Sequence, residues 1–132
     1  MKFKLSNFAD MPKEMKLAYF MQRLDEAPAF ADNIRDIMDA FLKTFGFIKG
    51  YRSVYYHLPG HQLCVKLHSS AMSIHNGNKP NDDMHMFWFN KMEREDLKIF
   101  LKAIYDGEVD FYKIDLRLKM HAVEQTFDIL PG

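Results

Sequence analysis

The sequence predicts an α+β fold: an antiparallel sheet of four to six strands, with two N-terminal helices and one later helix packed on it. Two segments with apolar residues at helical spacing open the chain, period-two alternation begins after Gly50, and helical spacing returns near Leu97. Turn-rich connections between the strands favour hairpins, and hairpin-linked strands pair antiparallel. The length of 132 residues is typical of one domain, so we expect residues 1–132 to form a single globular domain.

Two helices are predicted before the sheet. Pro12 suits the first turn of a helix that reaches about Leu24. The second helix is the clearest in the chain, and Gly46 stands where a left-handed cap ends such a helix. Its apolar face follows the spacing of three and four residues, at Phe30, Ile34, Ile37, Met38, Phe41, Leu42 and Phe45.

Alternation predicts the strands that follow. One strand alternates at Arg52, Val54, Tyr56 and Leu58, and residues 58–61 form a turn. The next strand directs Leu63, Val65 and Leu67 to one side and Cys64, Lys66 and His68 to the other. We expect a short strand over 71–75, a polar loop over 76–83, and a strand over 84–89 that is buried on both faces.

The C-terminal third predicts one helix and then strands. Acidic residues in the first turn suit a helix with an inner stripe from Leu97 to Ile104, ending at Gly107. A long strand is expected from Val109 onward, because apolar residues alternate at Ile114, Leu116, Leu118 and Met120. A bulge near residues 111–112 would account for the change of parity, and residues 123–129 alternate weakly as an edge strand.

The charges are unevenly distributed although they cancel in total. The chain has 18 basic and 18 acidic residues, which argues against a bulk-basic nucleic-acid coat. Residues 40–81 contain no Asp or Glu, and we call them the acid-free segment. The cations and histidines of this segment are Lys43, Lys49, Arg52, Lys66, Lys79, His57, His61, His68 and His75.

A locally positive surface predicts binding to a partner's carboxylates or to phosphates. We expect a non-enzymatic binding or regulatory module that docks on another macromolecule, such as an inhibitor or immunity-type protein of a phage or mobile element. A protein partner is favoured, nucleic acid is an alternative through the acid-free segment, and a homodimer is compatible with the sequence. The predicted contact residues are Arg52, His57, His61, Lys66, His68 and Lys79.

The alternative function is a histidine-based phosphodiesterase or nuclease acting on RNA, DNA or a nucleotide. Such an enzyme needs a base, an acid and a cation beside the developing phosphorane, and His57, His68 and Lys66 could supply them. No glycine-rich nucleotide loop is present, so no cofactor is expected. His75, Asp82, Asp83 and His85 flank one loop without matching any metal-site spacing, so no metal is expected either.

The remaining counts bear on location. Cys64 is the one cysteine, so an internal disulfide is excluded. The N-terminus lacks the apolar stretch of a secretory signal, and no apolar run is long enough for a membrane helix. We therefore expect a cytoplasmic protein that does not associate with membranes. The ten Met and twelve Phe residues suit either core packing or an exposed docking surface.

Overall fold

The structure, a computed structural model, describes residues 5–28, 31–50, 54–77 and 83–129. It is an α+β fold with a five-stranded antiparallel sheet. In chain order the elements are a short 3₁₀ helix (Leu5–Asp10), α1 (Lys13–Glu26), α2 (Ala31–Thr44), β1 (Ile48–Lys49), β2 (Tyr55–His57), β3 (Leu63–Leu67), β4 (Ala71–Asn76), β5 (Met84–Trp88), α3 (Arg94–Tyr105) and α4 (Phe111–Ile129).

The two N-terminal helices agree with their sequence patterns. Pro12 precedes α1 and its carbonyl accepts the first helical bond, from the amide of Lys16 at 3.1 Å. At the end of α2, Gly46 has a φ of +96°, and the amide of Phe47 donates to the carbonyl of Leu42 at 2.9 Å. This pair of features is the left-handed cap that the sequence predicts, because glycine adopts positive φ without steric cost.

The sheet is a simple meander in the order β1-β2-β3-β4-β5, with each strand antiparallel to the next. Each strand therefore runs beside its predecessor in the opposite direction, as in sheets built from successive hairpins. The register places Tyr56, Val65, Ile74 and His85 in one row across four strands. The neighbouring row holds Tyr55, Lys66, Ser73 and Met86, and these side chains lie on the opposite face because strand side chains alternate.

The strands predicted after Val109 are wrong, because residues 111–129 form the helix α4. The carboxylate of Asp110 caps this helix by accepting the amide of Tyr112 at 2.8 Å. The apparent alternation arises because α4 has apolar residues on two sides. Phe111, Ile114 and Leu118 are buried on one side, whereas Leu116 is exposed on the other. Two helices therefore follow the sheet where the sequence predicts one, and the bulge and the C-terminal edge strand are absent from residues 111–129.

The core lies between the helices and one face of the sheet. It joins Phe41 of α2 and Phe100 of α3 to Val65, Ile74 and Phe87 of the strands. In the helix layer, α1 packs between α2 and α3, and α4 packs against the far side of α3. None of the helices in the described ranges combines the length and apolarity of a bilayer-spanning segment.

A buried arginine joins the helix layer together. Arg94 begins α3, and one terminal nitrogen of its guanidinium donates to the carbonyls of Leu24 and Ala27 at the end of α1. Burial lowers the pKa of Arg94, and the nearby Asp25 opposes that effect. The positive group thus lies at the negative end of the α1 dipole and satisfies carbonyls that the helix leaves without partners.

Candidate functional site

The two faces of the sheet have different chemistry. The helix-covered face contributes Tyr56, Val65 and Ile74 to the core, and all three are buried. We call the opposite side the polar face; its side chains come from alternate residues of the central strands. The residues that define the polar face are Tyr55, His57, Cys64, Lys66, His68, Ser73 and His75, and Met84, Met86 and Trp88 of β5 continue the same side of the sheet as an apolar margin.

A hydrogen-bonded chain of three side chains crosses the polar face. The Nε2 atom of His68 lies 2.9 Å from the Oγ atom of Ser73, and the same oxygen lies 2.7 Å from the Nε2 atom of His75. A hydroxyl donates one hydrogen and accepts up to two, so Ser73 can bond both rings only when at least one of them carries a hydrogen on Nε2. Ser73 and His75 are buried, so the Ser73 hydroxyl is not accessible as a nucleophile. Its hydrogen bonds instead hold the two imidazole rings in place.

Lys66 is the cation at the centre of the polar face. It pairs across the strands with Ser73, and its Nζ atom lies 5.1 Å from the centre of the Tyr55 ring. Tyr55 also meets the ring of His75 edge-on, with centroids 6.5 Å apart. Burial, followed by the charge of Lys66, lowers the pKa of His68. His68 is therefore held in its neutral form at neutral pH, and Lys66 supplies the permanent charge.

The structure brings together three of the six predicted contact residues. His57, Lys66 and His68 lie on the polar face, and His61 is exposed in the turn between β2 and β3. Arg52 and Lys79 lie outside the described residues. No Asp or Glu occurs in β1 to β5, whereas each of the four α-helices carries several. The charge asymmetry of the sequence is thus an asymmetry between the sheet and the helix layer.

The proposed catalytic set of His57, His68 and Lys66 is not assembled around one point. His57 pairs with Cys64, and His68 lies four residues further along β3 and its turn. At about 3.3 Å per residue, the backbone positions of the two histidines are offset by roughly 13 Å along the strand direction. An acid and a base for one phosphodiester must both lie within hydrogen-bond reach of the same reacting group. The register gives this function no support.

The described residues that flank the loop between β4 and β5 do not converge on one point. His75 is opposite Met84, whereas His85 is opposite Ile74, so the two histidines lie on different faces of the sheet. Asp82 lies outside the described residues, and Asp83 accepts a hydrogen bond from the hydroxyl of Tyr112. Across the described part of the chain, no group of three or more His, Cys, Asp or Glu residues is arranged to hold a metal ion.

The other described cations of the acid-free segment lie away from the polar face. Lys43 and Lys49 line a cleft of about 360 Å³ between α2 and the edge of the sheet, together with Arg35. The hydroxyl of Tyr56 donates to Asp39 there, and burial followed by this bond raises the pKa of Tyr56. Asp39 also pairs with Lys43 at 3.1 Å. The carboxylates of the cleft already neutralise much of its positive charge.

Sequence reasoning missed the residues that depend on strand register. Ser73 reads as an ordinary strand residue, and only the pairing of β3 with β4 brings it between two histidines. The alternation after Val109 predicts a strand at Asp115, yet in α4 its Oδ1 atom lies 3.4 Å from the Nδ1 atom of His85. Asp110 carries a signal that the sequence does offer, because an acidic residue immediately before a helix is a common cap.

Comparisons with protein-family models, with curated proteins and with solved structures find no match to this chain.

Proposed function

We propose that this chain is a non-enzymatic binding module that docks its polar face on an acidic surface of another protein. One observation supports this most strongly: the described strand residues on that face present a lysine, imidazoles and a tyrosine, with no carboxylate among them. Complementary charge across an interface steers association and discriminates between partners.

The order of the polar face favours recognition over catalysis. Ser73 fixes His68 and His75 from beneath, and Lys66 lies against Tyr55, so these side chains lose little freedom when a partner binds. Tyrosine is enriched among residues that dominate binding energy, since its ring buries a large area with few rotatable bonds. We expect Lys66 and Tyr55 to form the centre of the contact, with the exposed His57 beside them.

A protein is favoured over a nucleic acid because the described face has few permanent charges. Binding to a nucleic acid backbone gains affinity from each phosphate that a cation neutralises, and the affinity then falls steeply with salt. Lys66 is the one lysine on the described polar face, and the described strands contain no arginine. An acidic protein surface requires fewer charges, since apolar and aromatic contacts supply most of the affinity.

An inhibitor or immunity-type protein would act in this way, by covering a functional surface of its target. We place this activity in the cytoplasm, in agreement with the single cysteine. Cys64 is buried, and burial raises the pKa of its thiol, which suits an inert structural role.

The experiment compares two variants with the same change of charge. Lys66→Glu reverses the cation of the polar face, and Lys13→Glu reverses an exposed lysine on α1. Each tagged protein is purified from cells that naturally express the chain, and the amount of co-purified partner is measured. We expect at least a tenfold loss for Lys66→Glu and for the double variant Arg52→Glu/Lys66→Glu, with little change for Lys13→Glu. Equal recovery with all variants would show that this surface is not the contact.

Labelled RNA and DNA, single- and double-stranded, serve as probes for the remaining functions. We expect no cleavage with or without divalent metal, and no binding whose affinity drops steeply between low and moderate salt. Metal-dependent or metal-independent cleavage that Lys66→Glu abolishes would instead support the phosphodiesterase.

A further inference from the structure

The sheet and the helix layer both end on an apolar element at the same side of the molecule. β5 is the last strand, and within the described residues it pairs with β4 alone. α4 is the last helix beyond α3 and packs over β4, and two side-chain contacts reach β5 and the residue before it: Asp115 with His85, and Tyr112 with Asp83. We call the outer edge of β5 and the outer side of α4 together the β5–α4 end.

The outer side of α4 carries a second apolar stripe. Tyr112, Leu116, Met120 and Val123 recur at intervals of four, four and three residues, and each is 52–56% exposed, although the hydroxyl of Tyr112 reaches back to Asp83 and Asn76. The inner side of the same helix already buries Phe111, Ile114 and Leu118 in the core. A surface helix needs one apolar stripe to pack on its own domain, so a second stripe indicates a contact with another surface.

The outer edge of β5 lacks the features that protect an exposed strand. Natural edge strands carry lysines, prolines or bulges that prevent pairing with another chain. β5 reads Met-His-Met-Phe-Trp, with no proline and no permanently charged residue. Met84 and Trp88 are each about half exposed, at 50% and 52%. The strand is therefore suited to pair with a further strand.

We propose that the β5–α4 end binds a second copy of this chain around a two-fold axis. The sequence of β5 is self-complementary in that arrangement. An antiparallel pair centred on Met86 places Met84 opposite Trp88 of the second copy, on the side of the sheet where both are exposed. No permanently charged residue meets a like charge in this strand pair, and a two-fold interface requires such self-matching.

The same axis also brings the two copies of α4 together. Packed helices lie 8–10 Å apart and strands about 4.8 Å apart, so one helix covers the width of two strands. α4 contacts β4 through Asn76 and β5 through His85, and so reaches the edge of the sheet. An antiparallel helix pair centred between Leu116 and Met120 places Lys113 within one turn of Glu124 of the second copy. These charges are opposite in sign.

The size of the surface sets the expected strength. The stripe from Tyr112 to Val123 spans roughly 18 Å of helix at 1.5 Å per residue. A surface made of this helix stripe and the edge of β5 buries an area at the lower end of the range for specific interfaces, which bury about 800 Å² per partner at standard size. The dimer should therefore dissociate when the protein is diluted through the micromolar range.

Light scattering coupled to gel filtration tests the proposal over about 1–200 µM. We expect the wild-type mass to rise with concentration from 15.6 kDa towards twice that value. Leu116→Glu and Trp88→Lys should each remain at the monomer mass throughout. Ile48→Lys, at the opposite edge of the sheet, and Met92→Glu, the most exposed methionine in the β5–α3 turn, should dimerise like the wild type.

Circular dichroism confirms that each variant is folded, and Met120→Lys replaces Leu116→Glu if the latter unfolds. Monomeric wild-type protein at every concentration would overturn the proposal, and so would a dimer that survives both substitutions at the β5–α4 end. Lys66→Glu should leave the dimer intact. A failure of the proposed partner binding and a failure of dimerisation are therefore separate results.

Discussion

The two faces of the sheet are built from the same strands but do different work. In β4, Ile74 and Ser73 are neighbours, and both are completely buried. Ile74 contacts the helix layer as part of a continuous apolar core. Ser73 lies on the polar face and is surrounded by imidazole nitrogens at hydrogen-bond distance. The comparison shows that the two faces accommodate buried side chains differently, by apolar packing on one and by hydrogen bonds on the other.

The difference lies in what the fold requires of each face. An apolar core gains free energy from each buried methylene, so the helix-covered face is explained by stability. The hydrogen bonds of Ser73 give a smaller net gain, because these groups also bond to water in the unfolded chain, although a buried ring nitrogen that loses its partner destabilises the fold.

The largest effect should come from the helix-covered face. Ile74→Ala removes a fully buried side chain, and we expect it to lower the free energy of unfolding by about 2–5 kcal/mol. Val54→Ala is the matched control, because Val54 is 45% exposed and should change stability by less than about 1 kcal/mol. Urea unfolding followed by circular dichroism measures both. Equal costs would contradict the assignment of the core to this face.

Ser73→Ala should have the next largest effect. It removes the hydroxyl that joins His68 to His75 and leaves a buried ring nitrogen without that contact, at a cost of about 1–3 kcal/mol. Ser69→Ala, at an exposed position of the adjacent turn, should cost less than about 0.5 kcal/mol. The same unfolding assay compares the two. If Ser73→Ala is as stable as the wild type, the hydrogen bonds that join His68, Ser73 and His75 do not order the polar face.

Lys66→Met should change the free energy of unfolding only slightly, although we expect it to weaken partner binding strongly. The lysine lies over the Tyr55 ring at 5.1 Å, and an exposed contact of this kind is worth about 0.5–1 kcal/mol. The loss of partner binding should be far larger than this cost implies. Lys13→Met on α1 controls for the change in net charge. A large loss of stability in Lys66→Met would assign Lys66 a structural role instead.

The smallest predicted effect is a pH dependence of the free energy of unfolding that arises from His68. Its pKa lies below the ordinary value of 6.5, so the folded protein binds this proton less readily than the unfolded chain. The associated stability is present above pH 6.5 and is lost as the pH falls through the lowered pKa. NMR titration of the imidazole measures the shift directly. In Lys66→Met the pKa of His68 should move part of the way back towards 6.5, because the lysine charge is removed while the burial of the ring remains.

A titration of wild-type His68 at or above 6.5 would contradict this environment for the ring. An unchanged pKa in Lys66→Met would show that the lysine does not act on His68.

Much of the fold follows from the sequence. The spacing of Ile34, Met38 and Phe41, followed by Gly46, specifies α2 and its cap. The alternation from Leu63 to Leu67 specifies which side chains of β3 face the helices, because side-chain direction in a strand depends only on parity. The strand over 84–89 is more exposed than predicted, since the helices cover one face of the sheet.

The rest depends on tertiary contacts. Ile114, Leu116, Leu118 and Met120 alternate with polar residues, as one face of a strand would. The packing of α4 against α3 determines that this segment is a helix instead. Strand register is similarly undetermined by local sequence, so Ser73 could not be matched to His68 and His75 in advance. The polar face was partly predicted, since Lys66 and His68 share a parity that the sequence shows.

Site-specific photo-crosslinking tests the central claim, that partner binding occurs on the polar face, most directly. A photoreactive amino acid is placed at position 57 on the exposed part of that face, and at position 14 on the exposed side of α1. The proteins are expressed and irradiated in cells that naturally contain the chain. We predict a discrete adduct from position 57 that Lys66→Glu abolishes, and no such adduct from position 14. Adducts from position 14, with none from position 57, would contradict the account.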